Sequence, residues 1–160
     1  MVYPILATAG KFSIFAFNLD ANVGVGCPNR IADVQFCQLG FAMRSLAPNI
    51  APDLRALFRS VPFGPVCSGR PDDPLCAAII AWQSDRAGYN IGGTQDRHIS
   101  KFANNTFRYE AGNERLAYLL LPLNASIQQG LADRWPRVDL IDGCPSALKD
   151  EITRFFKWAS

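Results

Sequence analysis

His98 is the only histidine in this chain, and it shares the sequence with five cysteines: Cys27, Cys37, Cys67, Cys76 and Cys144. A Cys–His hydrolase needs a thiolate within hydrogen-bond reach of its base. Cys27 and Cys67 are the candidates, because both fall in loop-like stretches. Neither has a recognisable nucleophile context, so a surface or hydrogen-bonded histidine is the plainer account of "QDRHIS". Glu110 and Glu114, in "YEAGNERL", are the candidate carboxylates. A glycosidase needs two carboxyl groups flanking one cleft, one with a raised pKa. The aromatic neighbours in "FRYE" would desolvate Glu110, but acidic residues at a helix start also serve the helix dipole.

No metal or cofactor site stands out. There is no CxxC, and one histidine does not make a zinc ligand set. Asp72 and Asp73 lack the spaced oxygen ligands and the terminal Glu of a calcium loop, and they suit helix capping better. Cys67 and Cys76 bracket the turn-rich "SGRPDDPL". A disulfide there would close a ring of about ten residues and contribute roughly 2–3 kcal/mol in the chain-entropy model. Cys27 and Cys144 are a second candidate pair, and Cys37 fits a buried thiol. "NNT" (104–106) and "NAS" (124–126) are glycan acceptor patterns.

Aromatic side chains are the better clue to a glycan. Tyr89, in "AGYNIGG", is loop-borne beside Asn90 and can present a flat face to a sugar ring. Trp135 lies between Arg134 and Arg137 in "DRWPRVD", a plausible meeting place for an anionic wall polymer. Tyr109 and Trp158 are further candidates. Trp82 suits core packing, the ordinary fate of such rings.

The elements that must position these residues follow from periodicity. The chain has 160 residues, 49% hydrophobic and 19% charged, with net charge +2. That describes one folded domain spanning 1–160. It argues against a nucleic-acid partner. No apolar run is long enough to span a membrane. The start lacks a basic region and a continuous apolar segment, so no standard secretory signal is expected. Residues 1–26 read as a β extension, with a hairpin of "YPILATA" and "KFSIFAFN".

A helix is expected over 31–46, with Val34, Cys37 and Phe41 on one face and Gln38 in the same stripe. "APNIAPDLRALFRS" gives a second helix. A third starts at Pro74 behind an Asp72 or Asp73 cap and buries Leu75, Ala78, Ile79 and Trp82. In the second half, Leu116, Leu119, Leu120 and Leu123 repeat the helical spacing. Pro122 is expected to end or kink that helix, with a short one following from about Ser126. "PRVDLIDGCP" suggests a loop with a short strand. A last helix over about 145–158 should hold Ile152, Phe155 and Phe156 inside. The fold class is mainly α (α+β), with five to six helices and a small N-terminal hairpin.

Two stretches echo each other. "SGRPDDPLCAAIIAWQ" and "DGCPSALKDEITRFF" both run from a Gly turn through a Pro-containing cap into a helix. In each, Ile is followed three residues later by an aromatic. The chain then divides into a half at 27–90 and a weaker half at 105–160.

"GCPNRIADVQFCQLGF" resembles the opening of peptidoglycan-binding-like modules, where G-x-x-N-x-x-x-D-V-x-x-V-Q-x-L-L recurs. Gly26, Asn29, Asp33, Val34 and Gln38 match, with Cys37 in place of valine. Ser68-Gly69 stands for that family's D-G turn, and "AIIAWQ", ending at Gln83, stands for A-I-x-x-F-Q. Asp142-Gly143 repeats the turn. The connection at about 46–67 is longer than the family's. The resemblance implies that Gln38 and Gln83 pin loops at the junction of two helices. It implies peptidoglycan as ligand, or a protein partner in the bacterial envelope if wall binding has been lost. A periplasmic location, or export by a non-standard route, would follow. The leading expectation is non-catalytic wall binding. The alternatives are an adaptor, component or immunity factor of a secretion or contractile injection system, and a small wall hydrolase using Glu110 or Cys/His98.

Overall fold

Helix α1, Ile31–Arg44, is buried over ten consecutive residues from Ala32 to Phe41. A helix apolar on one face alone would bury about half of these, so α1 is enclosed from several sides. The computed structural model describes residues 1–9, 12–64, 66–88, 95–103 and 119–158. Around α1 stand a hairpin of β1 (Tyr3–Ala9) and β2 (Phe12–Asn18), then α2 (Pro52–Arg59), α3 (Pro74–Gly88), α4 (Leu120–Leu131) and α5 (Ser146–Trp158). Two short strands, β3 (Val23–Gly24) and β4 (His98–Ile99), form a second antiparallel pair. The protein is mainly helical, with a small N-terminal hairpin.

The hairpin is antiparallel, pairing Tyr3 with Asn18 and Leu6 with Phe15. Asn124 of α4 docks on it. Its Oδ1 accepts from the Phe17 N–H at 2.7 Å and its Nδ2 donates to the Phe17 carbonyl at 2.9 Å. One amide thus does for β2 what a neighbouring strand would do. Asn124 is buried, so in the folded protein this sequon offers no acceptor to a glycan.

Both halves of the chain share one core. Helices α4 and α5 each pack on α1, and their Leu120, Leu123, Leu148 and Ile152 join Phe36, Phe41 and Ile79 in a single hydrophobic cluster. The long connection after α1 is structural. It carries α2, whose Phe58 meets Phe41 and Trp82 with ring centroids 4.9 and 5.8 Å away.

Three expectations need correction. Pro122 neither ends nor kinks a helix, because it lies in the first turn of α4, where an amide proton would have no intrahelical partner. The helix then continues unbroken through Ser126. Residues Val138–Leu140 form a 3-10 turn rather than a strand. Phe155 is exposed on α5, while Ile152 is buried and Phe156 half-buried. Leu116 lies outside the described residues.

Candidate functional site

Four residues of the motif, Gly26, Asn29, Gly69 and Gln83, meet at one hydrogen-bonded junction. Asn29 adopts a left-handed backbone, φ 48°, just before α1. Its side chain clasps Gly24, accepting from the N–H at 2.8 Å and donating to the carbonyl at 3.0 Å. The Gly26 N–H donates to the Gly69 carbonyl at 3.1 Å, and the Val25 N–H donates to the Arg97 carbonyl at 3.1 Å. Gly69 has φ +72°, and a Cβ there would lie 3.1 Å from the Asn29 amide nitrogen. Gln83, near the middle of α3, closes the other side. Its Oε1 accepts from the Arg97 N–H at 2.8 Å, and its Nε2 donates to Asp96 and to the His98 carbonyl. Asn29, Gly69 and Gln83 thus frame β3 and β4.

The buried polar groups of α1 work in the same manner. Gln38 Oε1 accepts from the Gly64 N–H at 3.1 Å. Asp33 accepts from the Asp20 and Ala21 N–H groups at 3.1 and 3.0 Å. Burial pushes its carboxyl up to about 6, partly offset by the Ala21 N–H. Gln35 Oε1 accepts from the Leu148 N–H, in the first turn of α5, at 2.9 Å. A helix enclosed on all sides must carry its polar atoms into the core, and each then needs a partner. The apolar stripe marks Gln38 by interrupting it. Gln35 stands off that stripe, so nothing in the local pattern singles it out.

Among the described residues, the candidates for chemistry are not assembled. His98 Nδ1 lies 3.0 Å from the Asp96 carbonyl, and Nε2 lies 3.4 Å from the Asp96 carboxylate. The Cys27 thiol instead faces the Val25 carbonyl, and the Cys67 thiol faces Asp73 and Cys76. Burial pushes the Cys27 thiol up, and the nearby Asp96 and Cys67 add to this. A nucleophilic thiol needs the opposite surroundings. Glu110, Glu114, Tyr89, Asn90 and Tyr109 lie outside the described residues, and so does the side chain of Trp158.

Compared with protein-family models, with curated proteins and with solved structures, the chain matches none. What the geometry offers for binding must be argued from its own surfaces. Trp135 is half-buried, its ring T-shaped to Phe17 and Phe15 with centroids 5.5 and 6.2 Å away. Arg134 beside it is exposed. Trp82 is buried between Phe41 and Phe58, with the Arg44 guanidinium 5.7 Å from its ring centre. Gly143 has φ +77° in an exposed turn ahead of α5, in the place Gly69 holds ahead of α3.

The aromatic stripe of the hairpin runs out of the core. Phe17 is fully buried, Phe15 is 37% exposed, and Leu6, its cross-strand partner, is 68% exposed. The sequence shows both strands as apolar, but which end projects depends on where Trp135 covers them.

Among the described residues all five cysteines are free thiols. Cys144 points to the Pro145 carbonyl. No helix is long and apolar enough to cross a membrane among the described residues.

Proposed function

We propose that this chain is a diverged peptidoglycan-binding-like module that holds cell-wall glycan or peptide without cutting it. One observation carries this reading. Asn29, Gly69 and Gln83, picked out by a spacing like that family's, meet at one junction and hold its loops. Such a frame positions loops; it performs no chemistry. The proposed ligand contacts are Arg134 and Trp135, together with Tyr89 and Asn90, which lie outside the described residues. The module would then target an attached machine or effector to the envelope.

The test is sedimentation with insoluble peptidoglycan, scored together with release of soluble muropeptides. Sedimentation without release is expected, weakened by Arg134→Glu. Release would restore the hydrolase and make Glu110 the first substitution. Protein left in the supernatant with nothing released would overturn wall binding.

A second reading has its own support in the exposed Leu6–Phe15 pair. Apolar side chains projecting together from a hairpin suit a protein partner. In this reading the chain is a component, adaptor or immunity factor of a bacterial secretion or contractile injection system. A photo-crosslinker placed at position 6 should then capture a defined envelope protein, and Phe15→Ser should abolish the adduct without lowering Tm by more than a few degrees.

A further inference from the structure

The Cys67 and Cys76 thiols lie in van der Waals contact, with their sulfurs 3.5 Å apart. The chain between them is already bent into a closed loop. Asp73 holds it, accepting from the Ser68 N–H at 2.8 Å, the Ser68 hydroxyl at 3.1 Å and the Leu75 N–H at 3.0 Å. Cys76 is fully buried in the first turn of α3, while Cys67 keeps 7% exposure at the rim. The loop they bracket carries Gly69, which binds Gly26 of the junction.

We propose that Cys67 and Cys76 are an oxidisable pair, closed by exchange with a small-molecule disulfide into a staple that fixes the Gly69 turn to the start of α3. The Cys67 thiolate attacks the donor disulfide, forming a mixed disulfide and releasing one donor thiol. The Cys76 thiolate then displaces the second donor thiol. Two S–H bonds and the donor S–S bond are lost. One protein S–S bond and two donor S–H bonds form, so the donor is reduced by two electrons. Burial pushes both thiols up, so neither is an activated nucleophile and the exchange is slow, needing alkaline pH. Cys67, the less buried of the two, is the attacking sulfur, and the contact at 3.5 Å makes Cys76 the resolving one.

A metal ion is the competing occupant, since Cys67, Asp73 and Cys76 present ligand atoms within 4.8 Å of one another. The Asp73 carboxylate, however, is already taken up by three backbone and hydroxyl donors. No fourth ligand joins the set among the described residues. Structural zinc sites are four-coordinate. The staple does not depend on wall binding.

The test uses the full chain incubated with oxidised glutathione at mildly alkaline pH, then denatured in excess maleimide and weighed by mass spectrometry. Three of the five cysteines should be labelled, with peptide mapping placing the cross-link between 67 and 76. Tm should rise by about 4–10 °C over the reduced protein. Cys67→Ser should keep four labelled thiols and show no rise. Five labelled thiols, a persistent glutathione adduct, or a cross-link to Cys27 would overturn the proposal. So would one zinc per chain protecting both thiols in the reduced protein. The wild-type result stands even if a variant fails to fold.

Discussion

The side-chain oxygen of Gln35 caps α5 from another helix, 2.9 Å from the Leu148 N–H and 113 positions before it. Helix starts leave N–H groups unpaired, and a nearby Ser, Thr, Asp or Asn usually answers them. Here the cap crosses the core. It ties the central helix to the last one, beside the side-chain packing of α5 on α1 and the bond from the Val2 N–H to the Glu151 carboxylate at 2.6 Å.

Gln35→Leu should therefore destabilise the protein by about 1–3 kcal/mol, the cost of leaving a buried donor unpaired. Gln35→Glu keeps an acceptor but buries a charge, and should be no better at neutral pH. Urea unfolding would measure both. A Gln35→Leu variant as stable as wild type would mean the Leu148 N–H finds another partner.

The same bond shows where the sequence stops being legible. Helices α1, α2, α3 and α5 and the hairpin announce themselves by local periodicity, by Pro74 behind an aspartate, and by two apolar strands; α4 does not, since Pro122 marks a break where the helix runs on. The partners of Gln35, Gln38 and Asn124 do not, because each is a backbone N–H brought near by packing alone. Gly64, which meets Gln38, sits in the long connection, and its approach depends on how α2 seats Phe58 against Phe41 and Trp82. Pro122 was misleading for a related reason. Its effect depends on its distance from the helix start, and the leucine spacing does not mark that start. The exposure of Leu6 is likewise hidden, since two apolar strands mark a hairpin but not which end the core covers.

Asp33 gives a pH dependence. Its folded pKa is raised to about 6 by burial, above an unfolded value near 3.8. The folded protein takes up the proton first, so this contribution to stability is fully present below the unfolded value and is lost as pH rises through about 6. Asp139, held by Arg137, and Asp73, held by Ser68 and Leu75 against the upward push of burial, lie below their ordinary values. Their contribution is present above the unfolded value and is lost as pH falls through the lower folded values. Stability should peak at about pH 4. Thermal melts from pH 3 to 8 would show this, and Asp33→Asn should flatten the limb between about 4 and 6. A melt curve flat across that limb in wild type would remove Asp33 as the cause.

Gln83 tests the junction. Gln83→Ala deletes bonds to Arg97, Asp96 and His98 together and leaves the Arg97 N–H without its side-chain acceptor. The expected loss is about 2–4 kcal/mol. Hydrogen exchange should localise it, with faster exchange at Arg97 and Val25 and little change at Phe17. Uniformly faster exchange would show that the junction opens only with global unfolding.

Gly24 sets the limit on what the junction tolerates. Its φ is +142°, and a Cβ there would stand 2.5 Å from the Arg97 carbonyl oxygen and 2.7 Å from the His98 Cα. Both are backbone atoms, so no side chain can swing away. Gly24→Ala must therefore push β3 off β4 or shift φ, and either breaks the Asn29 clasp. The expected cost is at least about 2–4 kcal/mol. Gly26→Ala is the control. It also has positive φ, +68°, but meets nothing within 4 Å, so it should cost only the backbone strain of about 1 kcal/mol. If wall binding depends on the framed loops, Gly24→Ala should weaken sedimentation with peptidoglycan well before the protein unfolds, and Gly26→Ala should not. Equal effects from the two glycines would place the ligand away from this junction.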